Sequence, residues 1–379
     1  MKYIFIVAAF NALFFAVLLL QKKPKALHDK ILFYWLLYLG LFTAFYAFSF
    51  HELFVQVQPL SSFMISMFLL HGPFLYLYVE SLTSGMKRLT ARGLLHFVPF
   101  ASFFLYLLIS LWFPEYSSRI RLDHVTVAIM PPIAFVVFLL ITASSGPAYF
   151  VVSYLRLRRI NISILNNFSA TKEVNLGWLN TLVYIFGTIW SALIVIAVIH
   201  HIFHYASMAF CTDGLFLSLS AFIIMVGYFG LRQKEIFTQF PIDDHPFVTD
   251  PKTKYQSMSL SESEVDNLVG RISSVMEHEK PFLNPTVTLP ELASLVSIPS
   301  YQLSRVINEK FGCNFFDFIN AYRVNEVKSR LNHPDYSNFS LLGIAYDSGF
   351  NSKSAFNRIF KKMTGLTPSE YKKSDPNAQ

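Results

Sequence analysis

The sequence predicts an all-α protein in two parts, a seven-helix transmembrane bundle followed by a cytoplasmic tandem helix-turn-helix domain. Three observations carry this expectation. Seven apolar runs of roughly bilayer-spanning length lie ahead of residue 232. Basic residues crowd into every second connection between those runs. After residue 284 a helix-turn-helix pattern occurs twice, and each copy ends on a glycine.

The first run, residues 3–20, reads as a span and not as a cleaved leader. Its basic cluster, Lys22, Lys23 and Lys25, follows the run, and no small-residue cleavage site is evident. Further runs cover residues 31–50, 61–78, 94–113, 125–152, 178–203 and 214–231. The fifth is too long for one straight span; it holds Pro131-Pro132 and Gly146-Pro147, so a kink is expected there. Alternate connections carry thirteen basic residues: Lys22, Lys23, Lys25 and Lys30; Lys87, Arg88 and Arg92; Arg156, Arg158, Arg159 and Lys172; Arg232 and Lys234. The other side holds Lys2, Arg119 and Arg121. Positive residues prefer the cytoplasm. The expected arrangement is therefore a multi-pass protein of the inner (cytoplasmic) membrane, N-terminus outside, whose odd span count delivers the C-terminal domain to the cytoplasm.

Composition agrees with the division. Of 379 residues 53% are hydrophobic and 40 are Phe, far from the soluble average, and the excess lies in residues 1–232. Net charge is +7, but the distribution matters more: residues 300–374 carry 11 basic against 6 acidic side chains, whereas residues 255–299 are net −4. Only the former supports a phosphate-facing surface.

Polar residues inside the runs invite scrutiny. His71, beside Gly72-Pro73, and Glu80 lie in or at the end of the third run, where a bond to a neighbouring helix is the favoured reading over a functional site. His200, His201 and His204 close the sixth run. His200 and His204 are one turn apart, yet no third ligand follows at motif spacing, so an outer-interface cluster without metal is expected. Cys211 and Cys313 fall on opposite sides of the membrane, which excludes a disulfide between them and a thiolate metal site. No cofactor is implied. With no Gly-rich phosphate loop, no Ser-His-Asp order and no paired catalytic carboxylates, an enzyme has no specific support.

Residues 233–258 read as a linker rich in helix breakers, including Pro241, Pro246 and Pro251. Residues 259–283 then form a connecting helix that opens on Ser and Glu and carries Leu268, Ile272, Val275 and Met276 on one side, to dock on the following unit or on a second subunit. The repeated units span residues 289–312 and 341–365. Ala293 aligns with Ala345, and Ser304-Arg305-Val306-Ile307 aligns with Asn357-Arg358-Ile359-Phe360. In the second unit Leu342, Ala345 and Tyr346 form the apolar face of its first helix, Gly349 makes the turn, and Phe350, Phe356, Ile359 and Phe360 line the buried side of its second helix. Between the units, residues 314–331 form a linker helix of ~27 Å with Phe315, Phe318, Ile319, Tyr322, Val327 and Leu331 on one side. A tail, residues 374–379, follows.

The string G-F-N-S-x-S-x-F-x-R-x-F-K-K-x-T-G-x-T-P-x-x-Y over residues 349–371, with the tandem units and the linker helix, resembles the AraC-type DNA-binding domain over residues 284–373. The resemblance implies a bacterial, sequence-specific transcription regulator with seven helices in this domain, two of them base-reading. One departure is Ser297, which stands where the first turn might have Gly. Another is the apolar bundle ahead of the domain, where many members of the family carry a soluble ligand-binding domain.

Carried over by position, the resemblance points to Ser300, Tyr301, Gln302, Arg305 and Asn308 in the first recognition helix, and to Ser352, Lys353, Ser354, Asn357 and Arg358 in the second. Arg suits guanine and Asn or Gln suit adenine through bidentate hydrogen bonds. Lys310, Lys361 and Lys362 are expected on phosphates, while Arg305 and Arg358 compete with a pairing to acidic neighbours. The expected partners are double-stranded DNA, the lipid bilayer, a signal ligand of unknown chemistry and a second copy of the chain as a homodimer. A membrane receptor whose helix-turn-helix module binds a protein is the alternative.

Overall fold

A computed structural model describes residues 2–49, 59–117, 119–120, 131–170, 176–203, 208–232 and 262–374. Among them it contains helices and no β-strand, and it divides into two compact units. The first comprises Met1–Arg158 and Leu176–Asp243; the second comprises Arg159–Asn175 and Asp244–Gln379.

In the first unit the helices are α1 (Lys2–Gln21), α2 (Leu27–Ser49), α3 (Pro59–Thr83), α4 (Ala91–Leu95), α5 (Val98–Ser110), α6 (Pro114–Ser117), α7 (Ile133–Asn167, whose end belongs to the second unit), α8 (Gly177–Phe203) and α9 (Met208–Arg232). Six of these, α1, α2, α3, α7, α8 and α9, are long and apolar enough to cross a membrane. The fourth expected run is instead broken into α4 and the thirteen-residue α5. Pro99, at the start of α5, has no amide to donate back into α4, so the backbone ladder stops there.

The fifth run also differs from expectation. Pro131 and Pro132 precede α7, Pro147 sits within it, and the helix continues to Asn167, placing Arg156, Arg158 and Arg159 on the helix and not in a loop. Averaged hydropathy falls at these arginines, but the apolar stripe Leu157, Ile160 and Ile164 keeps helical spacing and is buried. Residues 125–130, which the expected run included, lie outside the described residues.

Packing inside this unit relies on small residues. The buried side of α1 is Phe5, Ala8, Ala9, Ala12, Ala16 and Leu19, a three-and-four spacing that lets α2 approach closely. A side chain added at Gly40 would meet the Ala12 Cβ at 3.2 Å. Elsewhere an aromatic ring fills the place of a missing side chain: Trp190 of α8 lies over Gly146 of α7, and Phe150 of α7 lies over Gly187 of α8. The outward surface is apolar, with Trp112 85% and Ile133 83% exposed, the inverse of a water-facing bundle.

His71 is buried among the rings of Tyr38, Phe42 and Phe68, beside a cavity of about 20 Å³, room for one water. Glu80 does bond to a neighbouring helix. Its carboxylate lies 3.5 Å from Arg156 Nη1 of α7, and Arg156 Nε donates to Thr83 Oγ1 at 3.0 Å. The side chains of His200, His201 and Cys211 and the whole of His204 lie outside the described residues.

The second unit holds α10 (Glu262–His278), α11 (Leu289–Leu295), α12 (Ser300–Lys310), α13 (Phe315–Leu331), α14 (Leu341–Asp347), α15 (Lys353–Thr364) and α16 (Pro368–Ser374). It has two cores. Val265, Leu268, Ile272 and Met276 of α10 pack with α11, α12 and the Phe315, Phe318 and Ile319 side of α13. The connecting helix therefore docks on the first repeated unit. Phe316, Val324 and Val327 of α13 join Ile344, Ala345, Phe350, Phe356, Ile359 and Phe360 in the other. The single apolar side read for α13 is thus two sides, because a helix sandwiched between two units buries residues nearly all round.

Candidate nucleic-acid interface

Each unit is built by a cap, a turn and a second helix. In the first, Thr288 caps α11 in a capping box with Glu291, whose carboxylate takes the Thr288 amide at 2.8 Å. The turn to α12 passes through Ser297 at φ +55, a left-handed position filled without glycine. In the second, Ser340 caps α14, Gly349 turns at φ +92, and Ser352 caps α15 by accepting from the Ala355 amide at 3.3 Å. Gly312 and Gly365, both at positive φ, follow α12 and α15.

The outward faces of α12 and α15 differ in charge. On α12 Arg305 Nε donates to Glu309 Oε1 at 2.9 Å, and Lys310 Nζ donates to Asp266 of α10 at 3.3 Å. Asn308 donates to the Ser304 carbonyl at 2.7 Å, and Gln302 donates to the Tyr301 hydroxyl at 3.3 Å. These are exposed contacts, each worth about 0–1 kcal/mol, so a phosphate or base edge can displace them. On α15 Lys362 pairs with Asp317 at 2.8 Å, while Lys353 and Arg358 have no carboxylate partner among the described residues. A shallow depression of about 520 Å³ opens beside its N-terminal half, lined by Tyr346, Asn351, Ser352, Lys353, Ser354 and Asn357. Donors, acceptors and a cation converge there. Such a surface can read base edges and hold phosphate.

Comparison with known proteins follows the same boundary. Residues 292–374 match the helix-turn-helix domain family. The C-terminal region is an AraC-type helix-turn-helix domain. An uncharacterized HTH-type transcriptional regulator of Staphylococcus aureus (strain COL) is 26% identical over 126 residues, 33% of this chain and 16% of that protein. The uncharacterized HTH-type transcriptional regulator YtdP of Bacillus subtilis (strain 168) is 26% identical over 112 residues, 30% of this chain and 14% of that protein. The chain spans about one sixth of the length of the first of these relatives and about one seventh of the second. No solved structure matches.

Within the AraC-type domain the residues expected on DNA lie on α12 and α15 or cap them. Tyr301, Asn308 and Lys310 are exposed on α12, and Ser300, Gln302 and Arg305 are half-buried. Lys353, Ser354, Asn357, Arg358, Lys361 and Lys362 are exposed on α15; Ser352 is buried at its cap. Two residues of the depression escaped the sequence reading. Tyr346 was expected in the apolar face, yet it is exposed and Ile344 takes the core position; Leu342 is only half-buried. Asn351 carried no signal beyond its place in the closing string. The acidic partners Glu309, Asp266 and Asp317 were also missed as individual residues, although Glu309 stands four positions after Arg305, the helical pairing distance.

Away from α12 and α15, Glu326 of α13 takes Lys280 at 2.9 Å and Arg330 at 2.9 Å. Burial pushes its carboxyl up, but the hydrogen bonds and charges of Lys280 and Arg330 outweigh this and hold it below the usual glutamate value. Burial, helped by Asp317, pushes the Cys313 thiol up.

Proposed function

We propose that this chain is a membrane-embedded, sequence-specific DNA-binding transcription regulator that couples a membrane or extracellular signal to gene expression. The observation that carries the reading is the pairing, in one chain, of six membrane-length apolar helices with an AraC-type domain whose two recognition helices present polar and basic faces. Arg305 and Arg358 are proposed to read bases, with Gln302, Asn308, Ser354 and Asn357 beside them. Ser300, Tyr301, Ser352 and Lys353 contact base or backbone, and Lys310, Lys361 and Lys362 hold phosphates. The domain lies in the cytoplasm. That placement takes α4 and α5 together as the fourth crossing. The loop-charge bias supports the same orientation.

The test is selection of random duplexes by the full chain in lipid nanodiscs, in parallel with Arg305→Ala and Arg358→Ala. One enriched motif is expected, with two elements about one helical turn apart, each substitution relaxing one element. No enrichment at moderate salt overturns the reading and favours a receptor whose helix-turn-helix module binds a protein.

A further inference from the structure

The end of α7 and the residues that follow it belong to the compact unit of the AraC-type domain. Phe168 forms an antiparallel bridge with Thr288, the cap of α11, and both the amide and the hydroxyl of Ser169 donate to the Val287 carbonyl, at 3.3 and 2.6 Å. Ile160, Ile164, Phe168 and Ser169 are buried. Leu165 packs against the core of the second helix-turn-helix unit. One short segment therefore touches the entrance of the first unit and the core of the second.

Its centre is Arg323 of α13, only 2% exposed, which has no carboxylate partner among the described residues. The guanidinium is satisfied by neutral oxygens: Nε donates to the Phe282 carbonyl at 2.8 Å, Nη2 to the Asn284 carbonyl at 2.8 Å and to Ser169 Oγ at 3.2 Å, and Nη1 to the Ser169 carbonyl at 3.2 Å and to Asn320 Oδ1 at 3.4 Å. Asn320 Nδ2 also donates to the Ser169 carbonyl, at 3.4 Å. The second unit's turn closes on the same group, since a Cβ at Gly349 would lie 3.0 Å from Arg323 Nε. Without Ser169 a buried cation would lose two of its five acceptors. A group so placed is not indifferent to that loss.

We propose that residues 160–169 are a docking latch by which α7 sets the relative placement of the two recognition helices. The latch is a second connection from the apolar helices to the domain, besides the covalent link through residues 233–261. Tilting movement of α7 withdraws Phe168 and Ser169, strips acceptors from Arg323 and loosens the junction that the two units share. The regulatory output rests on the DNA-binding reading; the docking itself does not.

The experiment measures the two separately. Full-length protein carrying Cys211→Ser and Cys313→Ser is spin-labelled through Gln302→Cys and Asn357→Cys in nanodiscs, and the distance distribution between the labels is recorded. The latch is then altered by Phe168→Glu, which expels the buried ring, and by Ser169→Ala, which removes only the hydroxyl. The same latch variants, made without the Gln302→Cys and Asn357→Cys substitutions, are titrated with the selected duplex. The expected result is a distribution at least twice as broad for Phe168→Glu, an intermediate breadth for Ser169→Ala, and DNA affinity lowered about tenfold and about threefold respectively. Unchanged distributions in both variants overturn the latch. Broadened distributions with no DNA binding in any version support the latch and remove the DNA-binding reading instead.

Discussion

The first and second helix-turn-helix units make the same corner under different constraints. Ser297 takes φ +55 in the first turn, and the partly exposed α12 that follows has its charges balanced by Glu309 and Asp266. Gly349 takes φ +92 in the second, where a Cβ would overlap the Phe282 carbonyl and press on Arg323, and Lys353 and Arg358 of α15 stand without a carboxylate partner among the described residues. A left-handed residue other than glycine costs roughly 1–2 kcal/mol, which a solvated turn tolerates. A turn packed against a buried guanidinium does not have that latitude. The first unit is thus conformationally permissive and electrostatically buffered, while the second is sterically fixed and electrostatically open.

The largest expected effect breaks this contrast at the turns. Gly349→Ala, facing both strain and overlap, is expected to destabilise the second unit by about 3 kcal/mol or more, whereas Ser297→Gly is expected to stay within about 1 kcal/mol of wild type. Urea unfolding of the full chain in nanodiscs, followed by exchange of amides in residues 341–371 and 289–312, checks both. Comparable losses at the two positions would erase the distinction.

Next comes DNA affinity. Arg358→Ala is expected to cost about 2–3 kcal/mol and Arg305→Ala about 1 kcal/mol, because only Arg305 gives up Glu309 on binding. Titration of the selected duplex at one salt concentration reads the difference. Glu309→Ala sharpens the comparison from the other side: releasing Arg305 should tighten binding about two- to fivefold, with the gain shrinking as salt rises.

The smallest effect lies outside the two faces. Glu326 has a folded pKa held below its ordinary value, so its pairs with Lys280 and Arg330 add stability above the unfolded glutamate pKa, and that stability is lost as pH falls through the depressed folded value. Glu326→Gln should lower stability at pH 7 and flatten its fall on acidification through the carboxylate range, measured by urea midpoints at each pH.

Much of this architecture was legible in the residues. Long apolar runs, the repeated Ala-to-Gly pattern and the closing string needed only local signals. What was not legible depended on neighbours distant in the chain. Tyr346 has the side chain of a core residue and becomes exposed because Ile344 fills that place. Arg323 reads as one more surface cation in a basic stretch, yet five acceptors on four residues from three parts of the chain enclose it. Ser169 has no periodicity at all, and nothing near it in the sequence announces a partner 154 positions away. The long reach of α7 was hidden for a simpler reason: three arginines lowered the average hydropathy while the buried stripe ran on beneath them.

The exchange of rings and glycines between α7 and α8 has a mechanical consequence. Trp190 over Gly146 and Phe150 over Gly187 form two interlocked teeth, so neither helix can slide along the other by a fraction of a turn without driving a ring into backbone. Rotation about the teeth remains open. From Gly146 to Arg158, its last residue in this unit, the helix runs ~18 Å, and a tilt of about 5° about the teeth would carry that end by ~1.6 Å, half the length of a hydrogen bond.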